Sequence, residues 1–244
     1  MKALFSAMAF LTVIPVPQKW CLEPEKLGRS VVFFPFVGLL IGGLLVPVTG
    51  GLFRILPALP AGVLLVILTE GASGGLHLDG LADTADGFLS ARPRERALEI
   101  MRDSASGVMG VAAVISVFVL KVSCIAELGP DRVWRAVLIM PLVGRVGLVL
   151  LMTLLPYARN QGGLGDAFYG RGHGFALIVA TVVAVAAGWG TLRSPGLFAL
   201  GTSVLTVLFL ALVCRRRIGG ATGDTLGAGC EIGEAAFLLA LLAQ

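Results

Sequence analysis

Long apolar stretches with little or no charge alternate along the chain with short segments that hold most of its ionisable side chains. Six of these stretches approach the length that a helix needs to cross a bilayer: residues 31–53, 61–76, 107–125, 135–155, 174–192 and 195–214. Because backbone polar groups find no water in the bilayer core, a spanning segment is a helix of roughly 20 apolar residues. The pattern predicts an all-α, polytopic membrane helix bundle with about six full spans, organised as one domain over residues 1–244.

Two shorter apolar segments flank the predicted spans. Residues 3–16 contain Pro15, Pro17 follows, and no small-residue cleavage site comes after them, so the segment differs from a signal peptide. Residues 235–243 are too short to cross the bilayer alone. We expect both segments to form short interfacial or re-entrant helices.

The distribution of charge predicts the orientation. Only 14% of the 244 residues are charged, against about 25% in a soluble domain. Thirteen of the 19 Lys and Arg residues fall in segments 1–30, 77–106, 156–173 and 215–234, which six spans place on one side. This excess marks the cytoplasmic side of the inner membrane. Twelve of the 15 acidic residues lie there too, and no basic run is interleaved with aromatics as nucleic-acid binding would require.

The densest acidic cluster lies in the segment HLDGLADTADG (77–87). Asp79, Asp83 and Asp86 stand at positions i, i+4 and i+7, so on a helix they share one face and repel one another. A divalent cation would relieve this repulsion, and carboxylate oxygens suit Mg²⁺, which usually also binds phosphate. We predict a Mg²⁺ site; the alternative is a solvated acidic face. His77 is a candidate acid/base group or a hydrogen-bond partner of the carboxylates.

A second acidic segment, GGATGDTLGAGCEIGE, covers residues 219–234. Its glycines permit close backbone approach and expose N–H groups suited to phosphate oxygens. Asp224 and Glu231 again differ by seven positions, and the G-K-[ST] ending of a Walker loop is absent. Thr222, Gly223 and Glu231 are therefore candidate substrate-binding residues.

Four further charged residues are candidates. Arg102 and Asp103 stand where the chain re-enters the membrane beside Gly107, and an arginine there suits bidentate phosphate binding. Lys121 and Arg145 lie inside predicted spans, where a charge is costly and usually faces the bundle interior. Lys121 either snorkels outward or binds substrate. We expect Arg145 to bind substrate and to pair with a glutamate, Glu70 or Glu127.

Together these segments resemble the cobalamin synthase (adenosylcobinamide-GDP ribazoletransferase) family from end to end. The matching stretches are LTVIPVP (11–17), VVFFPFVGLLIG (31–42), GGLHLDGLADTADG (74–87), SARPRERALEIMRDS (90–104), YAR…GLG (157–165) and GGATGDTLGAGCEIGE (219–234). One stretch departs from the family, which usually continues after residue 104 with a basic residue and a Gly-Thr pair. Here the chain reads Ala-Ser-Gly-Val over residues 105–108, so a phosphate contact of that loop falls to Arg102 or another cation.

The resemblance implies a specific reaction. The family joins adenosylcobinamide-GDP to α-ribazole or its 5′-phosphate and releases GMP, which completes the lower nucleotide loop of the B12 coenzyme. Its members are Mg²⁺-dependent integral membrane enzymes. The glycine-rich helix surfaces also leave a homo-oligomer open.

Attack of a ribose hydroxyl on a diphosphate needs alignment and charge neutralisation more than a covalent nucleophile. We therefore expect Asp79, Asp83, Asp86 and Asp224 to hold one or two Mg²⁺ ions on the diphosphate. Asp103 or Asp86 would accept the hydroxyl proton, and Arg102 would balance developing charge.

Two other classes remain as alternatives. A CDP-alcohol phosphotransferase or a prenyltransferase also uses clustered aspartates and Mg²⁺, but the D-G-x-x-A-R continuation of the former and a plain D-D-x-x-D are absent. An ion transporter would explain Glu70, Lys121 and Arg145 within the spans. It would also spread carboxylates across the bilayer depth, whereas the sequence gathers them on one side.

Overall fold

The computed structural model describes residues 1–103, 105–159, 166–169 and 172–244. The described part of the chain forms nine α-helices and no β-strand, only one isolated bridge between Tyr157 and Ala221. The helices are α1 (Lys2–Leu11), α2 (Phe34–Ile55), α3 (Ala58–Ala72), α4 (Leu76–Leu89), α5 (Arg94–Ile100), α6 (Val108–Glu127), α7 (Pro130–Leu154), α8 (His173–Ile218) and α9 (Gly223–Leu242). Short 3₁₀ segments cover Gln18–Trp20, Pro24–Phe33 and Asp166–Phe168.

Five helical segments are long and apolar enough to cross a membrane, with α8 counted once, and the bent pair of α3 and α4 makes a sixth if it is taken as one span. The chain is therefore a multi-pass membrane protein, and the prediction of an all-α bundle with about six spans is confirmed. Helix α1 has only ten residues and ends before Pro15, which agrees with the prediction of a short N-terminal helix.

Helix α7 forms the centre of the bundle and packs against α2, α8 and α9. Its contact with α2 is close because α2 presents two glycines there. A Cβ on Gly38 would lie 2.6 Å from the Cα of Leu142, and one on Gly42 would meet the backbone of Leu138. Small residues at helix interfaces permit this approach in membranes.

Helix α8 contains both of the predicted spans at 174–192 and 195–214. Arg193 has φ 58° and ψ −140°, which breaks the helix into two arms. A Cβ on Gly188 would lie 2.6 Å from the side chain of Leu200, although twelve residues of straight helix extend about 18 Å. The two arms therefore fold back on each other as an antiparallel pair, as two separate spans require.

Helix α9 corrects the prediction for the C-terminus. We expected a short re-entrant or surface helix over 235–243, but α9 begins at Gly223 and runs for 20 mostly buried residues. That length, about 30 Å, matches the hydrocarbon core. Glu231 and Glu234 lie inside this helix and are buried, so they do not belong to a polar loop.

The predicted polar segments meet at one end of the bundle, which we call the loop end. Arg94 donates to the carbonyl oxygens of Ile218 and Ala158 at 2.8 and 3.0 Å. Arg217 donates to the carbonyl of Phe88 at 2.6 Å. At the opposite end, Arg132 donates to the carbonyl of Leu241 at 2.6 Å, which places the C-terminus of α9 away from the loop end.

Candidate active site

Helices α4 and α9 cross in close contact at the loop end. A Cβ on Gly80 would lie 2.7 Å from the carbonyl oxygen of Asp224, and a Cβ on Gly227 would lie 3.0 Å from that of His77. Glycine at both positions allows the two backbones to touch. Before α4, two successive glycines with positive φ turn the chain by 91° out of α3. The acidic segments of residues 77–87 and 219–234 thus come together.

A cavity of about 200 Å³ lies beside this crossing. Its polar lining comes from both acidic segments and from the loop after α7: His77, Asp79, Tyr157, Arg159 and Asp224. Asp79 also lines a larger neighbouring groove of about 640 Å³. Arg159 lines a third groove, of about 460 Å³, together with Arg94 and Arg102. Asp79 therefore borders both the cavity and the second groove, and Arg159 borders both the cavity and the third groove.

Asp224 is held by a cation and by its own helix start. Its Oδ2 atom accepts from Arg159 Nη2 at 2.6 Å and from the Thr222 hydroxyl at 3.1 Å. Thr222 caps α9 through a reciprocal pair of hydrogen bonds with Thr225, which fixes the first turn. Among the residues that the structure describes, none donates to Oδ1 of Asp224, so that oxygen is open to a ligand.

Asp83 adds a third carboxylate. It is half-buried one helical turn after Asp79 and lies within electrostatic range of Asp79, Asp86 and Asp224. Arg159 is the cation that offsets this negative field. Carboxylates from distant parts of the sequence thus surround one region with more negative than positive charge.

Asp86 is placed differently from the expectation that it binds metal or accepts a proton. Its two carboxylate oxygens accept the backbone N–H groups of Gly107 and Gly110, at 2.6 and 2.8 Å. These N–H groups belong to the start of α6, where unpaired donors favour an anion. Each oxygen of Asp86 thus accepts one N–H at the start of α6, so Asp86 caps this helix, and its part in metal binding or proton transfer stays a prediction.

Arg102 and Asp103 do not line the cavity beside Asp79. Both are exposed after α5, and Asp103 accepts the backbone N–H of Ala105 at 3.1 Å. Arg102 lies in the third groove with Arg94 and Arg159. This position does not support the predicted proton-accepting role of Asp103. Arg102 lines the third groove, where it is available to bind a phosphate group.

Lys121 and Arg145 belong to a buried network in the bundle interior. The Lys121 ammonium donates to Glu70, Glu231 and Glu234 at 3.0, 2.7 and 2.7 Å. One oxygen of each glutamate lies within 4.8 Å of the others, so the ammonium occupies the position that a metal ion would take. Lys121 therefore neither snorkels nor lines the cavity.

Arg145 pairs with Glu234 at 3.1 Å, which corrects the expected pairing with Glu70 or Glu127. Its Nε and Nη2 atoms are buried without a hydrogen bond to the described residues. The expectation that Glu231 binds substrate also changes, because Glu231 is buried and bonded to Lys121.

Arg159 and Tyr157 are the site residues that sequence reasoning missed. Both lie in the YAR segment, which was matched to the family but given no role. Their isolated position between two apolar stretches offers no spacing pattern, and only the pairing with Asp224 reveals them. Burial raises the pKa of the Tyr157 hydroxyl, and the neighbouring Arg159 charge opposes this effect. The GLG part of that segment, at 163–165, and Ser104 lie outside the described residues.

Comparison with known proteins identifies the family of this chain. A model of the cobalamin-5-phosphate synthase family matches residues 3–242. The chain belongs to this family. A curated relative, the adenosylcobinamide-GDP ribazoletransferase of Escherichia coli O139:H28 (strain E24377A / ETEC), is 39% identical over 254 residues, which cover 99% of this chain and 100% of that protein. Among solved structures, none matches the chain.

The family resemblance implies Mg²⁺, and the donors at the loop end fit such an ion. Asp79 and Asp224 place hard carboxylate oxygens on one cavity, and Oδ1 of Asp224 is open. Mg²⁺ is often bound by one or two carboxylates, with water and substrate phosphate completing its shell. Asp79 and Asp224 suit this pattern, and Asp83 lies within electrostatic range of both.

Proposed function

We propose that this protein transfers the cobinamide-phosphate group of adenosylcobinamide-GDP to ribazole or ribazole 5′-phosphate, with release of GMP. Family membership and the 39% identical ribazoletransferase support the reaction. The location of the active site rests on one observation. Asp79 and Asp224, which lie 145 positions apart in the sequence, line the same cavity, and Arg159 lies between the binding spaces.

The chain's residues have separate tasks in this reaction. The ribose oxygen of the acceptor forms a bond to the cobinamide-side phosphorus, and the bond from that phosphorus to the bridging oxygen breaks, so GMP leaves. Arg159 lies at the junction of two spaces, where a guanidinium binds phosphate oxygens and offsets charge on the leaving group. Its contact with Asp224 fixes the orientation of the guanidinium.

The hydroxyl proton needs an acceptor at the cavity. His77 lines it, and Nε2 of this buried imidazole has no hydrogen bond to the described residues. In the tautomer with the proton on Nδ1, Nε2 accepts a proton from a hydroxyl in the cavity. We assign the acid/base role to His77 rather than to Asp103, which is exposed outside this cavity.

Mg²⁺ would be held by Asp79, Asp83 and Asp224. When bound, it neutralises diphosphate charge and makes the phosphorus more open to attack. Asp79, which lines both the cavity and the larger groove, would hold the ion where the two spaces adjoin. The glycine crossing at Gly80 and Gly227 brings the backbone of Asp224 against α4, which carries Asp79 and Asp83.

We place the loop end at the cytoplasmic face of the inner membrane. Arg94, Arg102, Arg159 and Arg217 gather there, and an excess of Lys and Arg marks the cytoplasmic side. Nucleotide substrates in the cytoplasm then reach the grooves directly.

The test is release of GMP by the purified protein in detergent, with adenosylcobinamide-GDP and ribazole. We expect GMP and cobalamin in equal amounts, in the presence of Mg²⁺ and not after chelation. A CDP-alcohol or an isoprenyl diphosphate in place of the donor should give no product. Product from either of those donors, or none from adenosylcobinamide-GDP under any divalent ion, would overturn the proposal.

A further inference from the structure

One wall of the cavity beside Asp79 is apolar, which phosphate transfer does not require. The polar residues lie on α4, the loop after α7 and the start of α9. The apolar part of the lining consists of Leu76 from α4 and of Phe10, Phe34, Leu148, Met152 and Leu226 from α1, α2, α7 and α9. A diphosphate and a metal ion gain nothing from such a wall. The cavity is therefore shaped for a ligand with one apolar part and one charged or hydroxylated end.

The apolar wall is rich in aromatic rings. Phe10 and Phe34 have ring centroids 5.9 Å apart, and both contact Phe168, at 4.1 and 5.8 Å. Aromatic rings in such clusters bind further flat rings in stacked or edge-to-face arrangements. Phe34 is fully buried and packs against Phe10, so it supports the partly buried Phe10 ring before a ligand arrives.

The Tyr157 hydroxyl is a polar group next to the apolar lining and can bind a ligand there. The Tyr157 oxygen is buried beside Arg159, and no described residue accepts the hydrogen of its hydroxyl. Burial raises the pKa of this hydroxyl, so it remains a neutral donor. An apolar pocket with few polar groups orients a ligand through those groups. A flat ring with one acceptor nitrogen matches both the aromatic lining and the Tyr157 hydroxyl.

We propose that this cavity binds the aromatic base of the nucleoside acceptor, with the Phe10 ring, which packs on Phe34, against the base and the Tyr157 hydroxyl on a ring nitrogen. Ribazole is a riboside of a substituted benzimidazole, which is flat and largely apolar. A cavity of about 200 Å³ suits a bicyclic base and excludes a corrinoid, so the donor enters from the grooves beside Asp79 and Arg159. The inference rests on the proposed transfer reaction and specifies where its acceptor lies.

The experiment compares Phe10→Ala with Phe36→Ala in the GMP-release assay, with each substrate varied while the other is saturating. Phe10 is partly buried on a short helix and lines both the cavity and the larger groove, whereas Phe36 is 41% exposed on the outer face of the bundle. Loss of a ring contact should raise KM for ribazole roughly 10–100-fold in Phe10→Ala. Because Phe10 also borders the groove of the donor, the KM for adenosylcobinamide-GDP should rise too, but less than the KM for ribazole, and Phe36→Ala should match the unmodified protein.

A second measurement needs no variant. The free benzimidazole base should inhibit competitively against ribazole and not against adenosylcobinamide-GDP. The inference is overturned if Phe10→Ala raises KM for the donor alone, if both variants leave KM for ribazole unchanged, or if the base competes with the donor. These results would leave the transfer reaction standing. Absence of GMP release by the unmodified protein would instead remove the reaction and the inference together.

Discussion

The two groups of charged side chains in this bundle differ in how their charges are satisfied. In the interior, three glutamates face Lys121 and Arg145, and each glutamate has a cationic partner within 3.1 Å. At the loop end, Arg159 pairs with Asp224, and among the described residues no cation pairs with Asp79 or Asp83. The interior network has three carboxylates to two cations and is enclosed. The loop-end group keeps an excess of negative charge and borders cavities.

The difference separates stability from function. Buried charges without partners are very unfavourable in a membrane, so the interior glutamates are tolerated only because cations from α6 and α7 meet them. The aspartates can remain partly unpaired because Asp79 is exposed and Asp83 half-buried. A site that binds a cation and a diphosphate must leave ligand positions open. Removal of a charge should therefore stop catalysis in the loop-end group and destabilise the fold in the interior network.

The largest effect is expected from Asp79→Asn. The substitution keeps the shape of the side chain but removes a charge that borders two binding spaces. We expect kcat/KM for the transfer to fall at least about 1,000-fold, with an unchanged melting temperature in detergent. GMP release and thermal unfolding measure the two quantities.

Glu127→Gln provides the matched control for this change. Glu127 is an exposed carboxylate at the far end of α6, so the same loss of charge should leave the rate within about twofold. A fully active Asp79→Asn protein would contradict the metal site. A parallel fall in melting temperature would assign Asp79 to the fold instead.

Lys121→Met should give the next largest effect, on stability. The substitution leaves Glu70 and Glu231 buried without a cation. Removal of one partner of a buried ion pair costs about 3–5 kcal/mol. Unfolding in detergent by heat or denaturant measures this, with Arg54→Met as the control, because Arg54 is exposed at the end of α2.

The double variant Lys121→Met/Glu231→Gln sharpens this result. It removes one of the orphaned charges, so we expect it to recover about 1–2 kcal/mol of the loss. Such recovery would show that the penalty comes from uncompensated charge. If the double variant is as unstable as the sum of both single variants, the network does not act as a coupled unit.

The sequence predicted the spans that are uncharged or nearly so. Hydropathy found α2, α3, α6, α7 and both arms of α8 because each has enough consecutive apolar residues. It missed α9 as a long helix because Glu231 and Glu234 resemble loop residues in a one-dimensional pattern. Only the partners Lys121 and Arg145, on other helices, make those charges tolerable inside the bundle.

The candidate site was predictable in its helical part. Asp79 and Asp83 share a face because of the 3.6-residue period, and the glycines around Asp224 indicated close approach. The location of Asp86 was not predictable, because its spacing fits the same face although its oxygens bond to the start of α6. Arg159 was missed for the same reason, since a single arginine in a loop acquires its role only through a tertiary contact.

Asp86→Asn should have the smallest effect and decides to which group Asp86 belongs. It makes the same change as Asp79→Asn, seven residues further along α4. An asparagine retains one acceptor oxygen for Gly107 or Gly110 but loses the second and the negative charge at the start of α6. Loss of such a cap costs about 1 kcal/mol. We therefore expect a slightly lower melting temperature, with kcat/KM within about tenfold of the unmodified protein.

A loss of activity as large as that of Asp79→Asn, without any change in melting temperature, would return Asp86 to the metal site. The aspartates of α4 would then act as one set of three, and the distinction between bonded and open carboxylates would no longer identify the functional ones.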